Sequence, residues 1–570
     1  MKLLPILVAA ALAPFLAAPL LKAAPDIFPL KDVRAGQHGV GRTVFAGNRV
    51  EEFQVEVLGV LENVGPRQSI ILARLSGGPL AETGVLQGMS GSPVYIDGKL
   101  AGAVALGFSE SKVAIAGIRP IEEMLRVEPQ SPTALAAIRP RASFVSGGMR
   151  LEEIATPLAF SGFTAATLNH FAPQLRALGL DPQQGVSGGA NLSDKLGDPR
   201  TLEPGSMISV HLMSGDMNVN ADGTVTAVDG EKIYAFGHRF MATGPTDLPF
   251  ARAEVLALLP NLANSFKISQ ATEWMGAITA DRDTAISGIV GRRAALAPLD
   301  IRVGKNDYHM SVARDPILTP LVAQMAVFSA IDSTERSVGA ATYAVRGHAD
   351  FEGGSVKLDN VYSGDVNTAA MASLGVATPL SYALTSGFDA LRLKSVTLEI
   401  APTETHNQMQ IADAFAPRQA HPGDDVEIGV VFTGENGAET VKKTRYRVPV
   451  GAPPGLLYLT VSDASSANLF EFQGALSVQA RSAAQVLNLL NGLRSNTSAY
   501  VRVWRADAAY SVDGRDLPDP PASLAAILGR SQPGAASLAS TRGAKVAEIE
   551  IPAGQSVVTG SKTIQIEVKE

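Results

Sequence analysis

The chain has 570 residues, a formal net charge of −7 and no cysteine. That length calls for several domains, and the missing cysteine excludes a disulfide scaffold, thiolate metal ligands and a cysteine nucleophile. The 48 basic residues form no block, which argues against nucleic acid as a partner.

Taken in chain order, residues 1–24 read as a secretory signal peptide: Lys2, an apolar run, then small residues at Ala23 and Ala24. Pro5, Pro14 and Pro19 weaken a spanning helix, so the mature chain is expected to be exported, to the periplasm, the envelope or the exterior. Residues 25–126 predict a β-rich unit. "EEFQVEVLGVLE" alternates apolar positions at Phe53, Val55 and Val57, "QSIILARL" is a second strand, and "RPIEEMLRV" a short helix after Pro120. Residues 127–145 hold three prolines and little periodicity, and read as a linker. A second β unit is expected over 146–299. It contains one helical pattern, "AATLNHFAPQLRALGL", and a strand-turn-strand, "GTVTAVDGEKIYAFGH". From 300 to 570 short strands such as "LLYLTVSD", "AYVRVWRAD" and "KTIQIEVKE" alternate with turns, predicting β-sandwich-like domains.

One stretch carries chemistry. "GVLQGMSGSPVYIDGKLAGAVALGF", Gly84 to Phe108, places Ser90 in a turn of small residues ahead of a hairpin closed by Asp97-Gly98. A serine hydroxyl needs a base to take its proton and donors for the oxyanion that develops. Gly88 permits a backbone that points its own N–H and that of Ser90 toward one oxygen. The turn leads into a strand and residue 92 is a serine, so this is not the strand-to-helix elbow of α/β-hydrolases. Ser92 is the neighbouring alternative nucleophile, and a plain structural turn is the bland alternative.

That stretch resembles the serine core of the SpoIVB-type serine peptidases (serine peptidase family 55), and "GTVTAVDGEKIYAFGHRF" resembles their histidine core. The resemblance implies a mainly β chain with a chymotrypsin-like double β-barrel, Ser90 as nucleophile, His238 as general base and an oxyanion donor at Gly88. It implies a protein or peptide substrate, a possible association with the cell envelope and no cofactor. In the family the histidine block precedes the serine block; here the order is permuted, which a triad defined by geometry tolerates. The family also places an aspartate shortly before the serine block, where this chain reads "SGGPLAETG". The orienting acid is therefore missing or moved, with Asp281 the first candidate and Asp283, Glu82 or a simple Ser–His dyad as alternatives. His38 is the rival base. The other histidines, at 170, 211, 309, 348, 406 and 421, show no zinc-ligand spacing, so no metal is expected. Two functions are compatible with these residues: a secreted serine endopeptidase of restricted specificity, or an exported binding protein that retains the fold without catalysis.

Overall fold

The computed structural model describes residues 25–570 except 109–110, 112, 127–142, 147–148, 155–156, 186–191, 194, 262–263, 335–338, 478–479, 507, 513–514, 518–520, 531–537 and 544. The leader read at 1–24 and most of the linker read at 127–145 lie outside the described residues.

The first unit is a closed barrel. Its strands are β1 (His38–Val44), β2 (Val50–Gly65), β3 (Gln68–Ser76), β4 (Pro93–Ile96), β5 (Lys99–Phe108) and β6 (Ile115–Pro120), with short helices α1 (Leu80–Thr83) and α2 (Ile121–Met124). They pair in the order β4-β1-β2-β3-β6-β5, and β5 pairs back onto β4, so the six strands have no free edge between them. The alternation read at Phe53, Val55 and Val57 points these side chains inward, where they pack with Ile71, Leu75, Val94 and Ile118. The β4–β5 hairpin closes through Asp97 and Gly98, both at positive φ (49° and 77°), the twist that a two-residue hairpin loop needs.

Strands β7 (Ser143–Ser146) and β8 (Met149–Glu153) extend this sheet from β5. Strand β9 (Pro157–Ser161), helix α3 (Ala165–Ala177) and strand β10 (Asp181–Gln184) come next in the chain. Thr164 caps α3 by accepting the Thr167 N–H at 3.2 Å.

The second barrel is built from β11 (Met207–Gly215), β12 (Asn218–Asp229), β13 (Lys232–Ala235), β14 (Gly244–Leu259), β15 (Phe266–Arg282) and β16 (Ala285–Val290). The circuit β12-β13-β16-β15-β14-β11 closes through the β11–β12 pairing. Two closed six-stranded barrels in sequence make the chymotrypsin-like double-barrel architecture that the sequence leads one to expect.

The second sheet does not stop at 299. It runs on through β17 (Leu296–Val303) and β18 (Asn306–Ala313) into β19 (Ala341–Phe351), β20 (Gly354–Lys357), β21 (Asn360–Gly364) and β22 (Leu393–Thr403), with β17 and β22 parallel. Helices α4 (Leu318–Thr334) and α5 (Thr368–Thr385) cover it. One apolar cluster runs from Leu158 in β9 through α4 and α5 to Leu490, so no core boundary separates barrel from extension. Within residues 408–570 lies a sandwich with a core of its own, while Val486, Leu487 and Leu490 join the preceding cluster. A four-stranded and a five-stranded sheet enclose a core that includes Ile428, Phe432, Leu459, Val501 and Ile566. Among the described residues no helix is long and apolar enough to cross a membrane.

Candidate active site

Ser90 sits in the turn between α1 and β4, and its side chain is buried. Most N–H groups around it are committed. Gln87 donates to Ser265 O at 2.8 Å, Met89 to Leu86 O at 3.0 Å, Gly91 to Val104 O at 2.7 Å and Ser92 to Met89 O at 2.9 Å. The N–H groups of Gly88 and Ser90 donate to no acceptor among the described residues. Gly88 stands at φ +91° and Gly91 at φ +94°, a left-handed pair that only glycine adopts without strain. Buried N–H donors are normally satisfied, so two alternate ones left open beside a serine mark the place where an anionic oxygen fits.

The turn is held from the second barrel. Thr224 on β12 donates its N–H to Ser90 O at 2.8 Å and its hydroxyl to Gly88 O at 2.9 Å; Thr226 donates its hydroxyl to Gly91 O at 2.6 Å. These carbonyls of the turn are thus turned away from the hydroxyl and anchored across the barrel interface. The two threonines are two residues apart on β12, whose pairing with β13 is irregular between Val225 and Ala227.

His238 comes after β13. The chain turns sharply there because Phe236 and Gly237 both stand at positive φ, 70° and 69°. For Phe236 that conformation costs about 1–2 kcal/mol, which its full burial offsets. The imidazole is buried, and Nδ1 lies 2.7 Å from the Arg239 carbonyl oxygen. A carbonyl only accepts, so in the neutral ring Nδ1 carries the proton and Nε2 presents its lone pair, the tautomer of a general base.

The two blocks meet. The Val104 carbonyl that receives the Gly91 N–H would lie 3.3 Å from a Cβ placed on Gly237, and a Cβ on Gly91 would lie 2.5 Å from the Phe236 nitrogen. Arg119, fully buried on β6, donates from Nε to Gly237 O at 3.4 Å and from Nη1 to Gln68 and Glu123 at 3.2 and 3.3 Å. The serine-bearing barrel therefore grips the residue next to His238. Behind this contact Leu100, Ala103, Ile121 and Met124 pack with Ala227, Tyr234, Ala280 and Ala285 as an apolar seam between the barrels. Ser90 Oγ makes no hydrogen bond with a described residue, and apo catalytic contacts are often long.

Asp281, on β15, is engaged by the same loop. Its carboxylate accepts the N–H groups of Phe240 (2.8 Å), Met241 (2.7 Å) and Thr243 (3.3 Å). Burial pushes its pKa up, and these amide donors pull against that. Its observed contacts are those of a residue that fixes the chain just after His238. The alternatives lie elsewhere: Asp283 pairs with Arg239 at 3.8 Å, Glu82 is exposed on α1, and His38 is exposed at the start of β1. Ser92 is fully buried, and its hydroxyl has no partner among the described residues.

Sequence reasoning missed Thr224, Thr226, Arg119 and Lys267. Arg119 had a signal, a single cation inside the apolar run "VAIAGIRP" with Glu123 four residues on. Lys267 is buried on β15. Its Cδ would lie 3.2 Å from a Cβ on Gly88, and its Nζ donates to Thr43 Oγ1 at 2.8 Å. Burial pushes its pKa down to about 7, opposed by the Asp222 carboxylate. Asp222 in turn accepts from Asn220 Nδ2 at 3.0 Å and from the Ser269 hydroxyl. Among the described residues no cluster of histidine and carboxylate side chains is placed to hold a metal ion.

Comparison with known proteins agrees with the first barrel's chemistry. The family model of the SpoIVB peptidase S55 matches residues 16–125, which hold the whole serine-bearing barrel and the Ser90 turn. No curated protein and no solved structure matches the chain. Over its serine-bearing barrel the chain is similar to the SpoIVB-type serine peptidases, a family of hydrolases.

Proposed function

We propose that the protein is an exported serine endopeptidase of restricted specificity, with Ser90 as nucleophile and His238 as general base. The observation that carries this reading is the pair of uncommitted N–H groups, Gly88 and Ser90, in a turn whose carbonyls are tied back by Thr224 and Thr226. Ser90 Oγ attacks the peptide carbonyl carbon while His238 Nε2 takes the hydroxyl proton. The oxyanion that forms receives the two N–H donors, each worth about 3 kcal/mol at the transition state. The imidazolium then returns the proton to the leaving amine, and water repeats the sequence to release the acyl group. The Arg239 carbonyl does for Nδ1 part of what a triad carboxylate does, fixing tautomer and ring orientation, and Asp281 holds the loop that carries it. The leader pattern at 1–24 supports export, and the sandwich at 408–570 is suited to recruiting a substrate or envelope partner.

One observation favours the second reading, a non-catalytic binding protein: the imidazole Nδ1 rests on a backbone carbonyl, while the carboxylate of Asp281 is spent on backbone amides. Labelling with a fluorophosphonate probe separates the two. Wild type is expected to label, with labelling lost in Ser90→Ala and in His238→Ala while both remain folded. Folded wild type that does not label would sink the peptidase reading. Labelling that survives Ser90→Ala would move the nucleophile elsewhere.

A further inference from the structure

The two donors of the oxyanion turn are held in different ways. A peptide unit is planar and trans, so its N–H points opposite to the carbonyl of the preceding residue, and whatever anchors that carbonyl aims the N–H. The Ser90 N–H shares its unit with the Met89 carbonyl, which accepts the Ser92 N–H at 2.9 Å, a contact made inside the turn. The Gly88 N–H shares its unit with the Gln87 carbonyl, which accepts the Lys267 N–H of β15 at 3.2 Å. Gln87 also donates its own N–H to Ser265 O at 2.8 Å, and the two segments meet as an isolated parallel bridge between Gln87 and Phe266. One donor is thus set by its own turn and the other by a strand of the second barrel.

The side chain of the same lysine stands where a side chain on Gly88 would go. A Cβ on Gly88 would lie 3.2 Å from Lys267 Cδ, 3.5 Å from Lys267 Cβ and 3.4 Å from Met207 Cε. The tip continues to β1, where Nζ donates to Thr43 Oγ1 at 2.8 Å. Lys267 is buried, so no water film lies between its stem and the turn. It therefore reaches from one barrel to the other and meets the Gln87–Gly88 unit with both its main chain and its stem.

We infer that Lys267 is a positioning residue of the proposed peptidase, which sets the direction of the Gly88 N–H and so completes the oxyanion site from the second barrel. The inference rests on the peptidase reading for its catalytic meaning. Lys267 acts through Gly88 and not on the reacting atoms. The stem carries the effect, because it is the part in contact with Gly88; the bond from Nζ to Thr43 serves the barrel interface.

Three variants separate these parts. Lys267→Ala removes the stem, Lys267→Met restores it without the charge, and Thr43→Val removes only the acceptor of Nζ. Lys267→Val, which lacks Cδ but suits a strand, stands in if the alanine variant does not fold. Fluorophosphonate labelling of each folded protein is followed over probe concentration. In Lys267→Ala the maximal rate is expected to fall about 100-fold, the loss of one oxyanion donor, with the half-saturating concentration little changed. Lys267→Met restores the rate to within about threefold, and Thr43→Val loses stability but not labelling. Hydrogen exchange is read by mass spectrometry on a peptide spanning residues 85–92, whose protected amides include those of Gln87, Met89, Gly91 and Ser92. It is expected to be about tenfold faster in Lys267→Ala and to return to the wild-type rate in Lys267→Met. A folded stem-less variant whose turn exchanges or labels like wild type overturns the inference, and so does a loss that methionine does not restore. Exchange needs no catalysis, so wild type that fails to label sinks the peptidase reading, while exchange still decides whether Lys267 holds the turn.

Discussion

Gly91→Ala tests the contact between the two blocks. A Cβ on Gly91 would fall inside the van der Waals envelope of the Thr224 carbonyl oxygen, 2.5 Å from the Phe236 nitrogen and 3.0 Å from its Cα. All three atoms are backbone, so no side chain can swing aside. The left-handed φ of +94° adds about 1–2 kcal/mol for any L-residue. Overpacking against a rigid wall adds about 1–3 kcal/mol. A retreat of β12 also loosens the hydrogen bonds from Thr224 and Thr226, at about 1 kcal/mol each. The total is about 5–8 kcal/mol of stability. Gly98→Ala is the control: Gly98 lies in the neighbouring hairpin at φ +77° with nothing within 4 Å of its Cβ position, so it bears only the conformational cost. Urea unfolding and fluorophosphonate labelling are measured on both variants. A shift of roughly 1 Å between Ser90 and His238 slows labelling about 100-fold in Gly91→Ala, while Gly98→Ala labels like wild type. If the two variants unfold at the same urea concentration and label at the same rate, the serine turn does not pack against the histidine loop in this way.

Asp281→Asn replaces a buried acceptor of several amide N–H groups with a side chain that brings its own donor against them. It is expected to lower stability by about 2–4 kcal/mol. Labelling should fall far less than the roughly 10⁴-fold seen when a triad acid is removed, because Nδ1 rests on the Arg239 carbonyl; a loss of that size in a fully stable variant would make Asp281 the triad acid instead. Lys267 has its pKa lowered by burial from 10.5 to about 7. Between those values the unfolded chain holds a proton that the folded protein does not, so stability rises with pH across that window. Below about pH 7 the full cost, about 5 kcal/mol, is present. Lys267→Met keeps the stem against Gly88 and removes this dependence, at about 1–3 kcal/mol for stranding Thr43 Oγ1. Urea unfolding at about pH 6 and pH 9 should show wild type losing stability on acidification relative to the variant; parallel behaviour would refute the assignment.

The features legible from the amino-acid order are those that short-range physics dictates. Asp97-Gly98 closes a hairpin because both residues take positive φ, and the inward alternation of Phe53, Val55 and Val57 reflects the pleat. The Ser90 turn is readable from its glycines, and the histidine block from its strand-turn-strand pattern. Other features depend on residues far apart in the chain. Thr224 and Thr226 look like ordinary strand threonines until the barrels meet and place their hydroxyls on the carbonyls of Gly88 and Gly91, more than 130 positions away. Arg119 finds Gly237 across 118 positions. The case for Asp281 rests on its separation from His238, a quantity that says nothing about direction, and its carboxylate faces the amides of Phe240 and Met241. The extension of the second sheet past residue 299 depends on the parallel pairing of β17 with β22, nearly a hundred residues on. Hydrogen-bond partners across a barrel interface carry no periodicity and no local turn chemistry, so only the closed tertiary structure determines them.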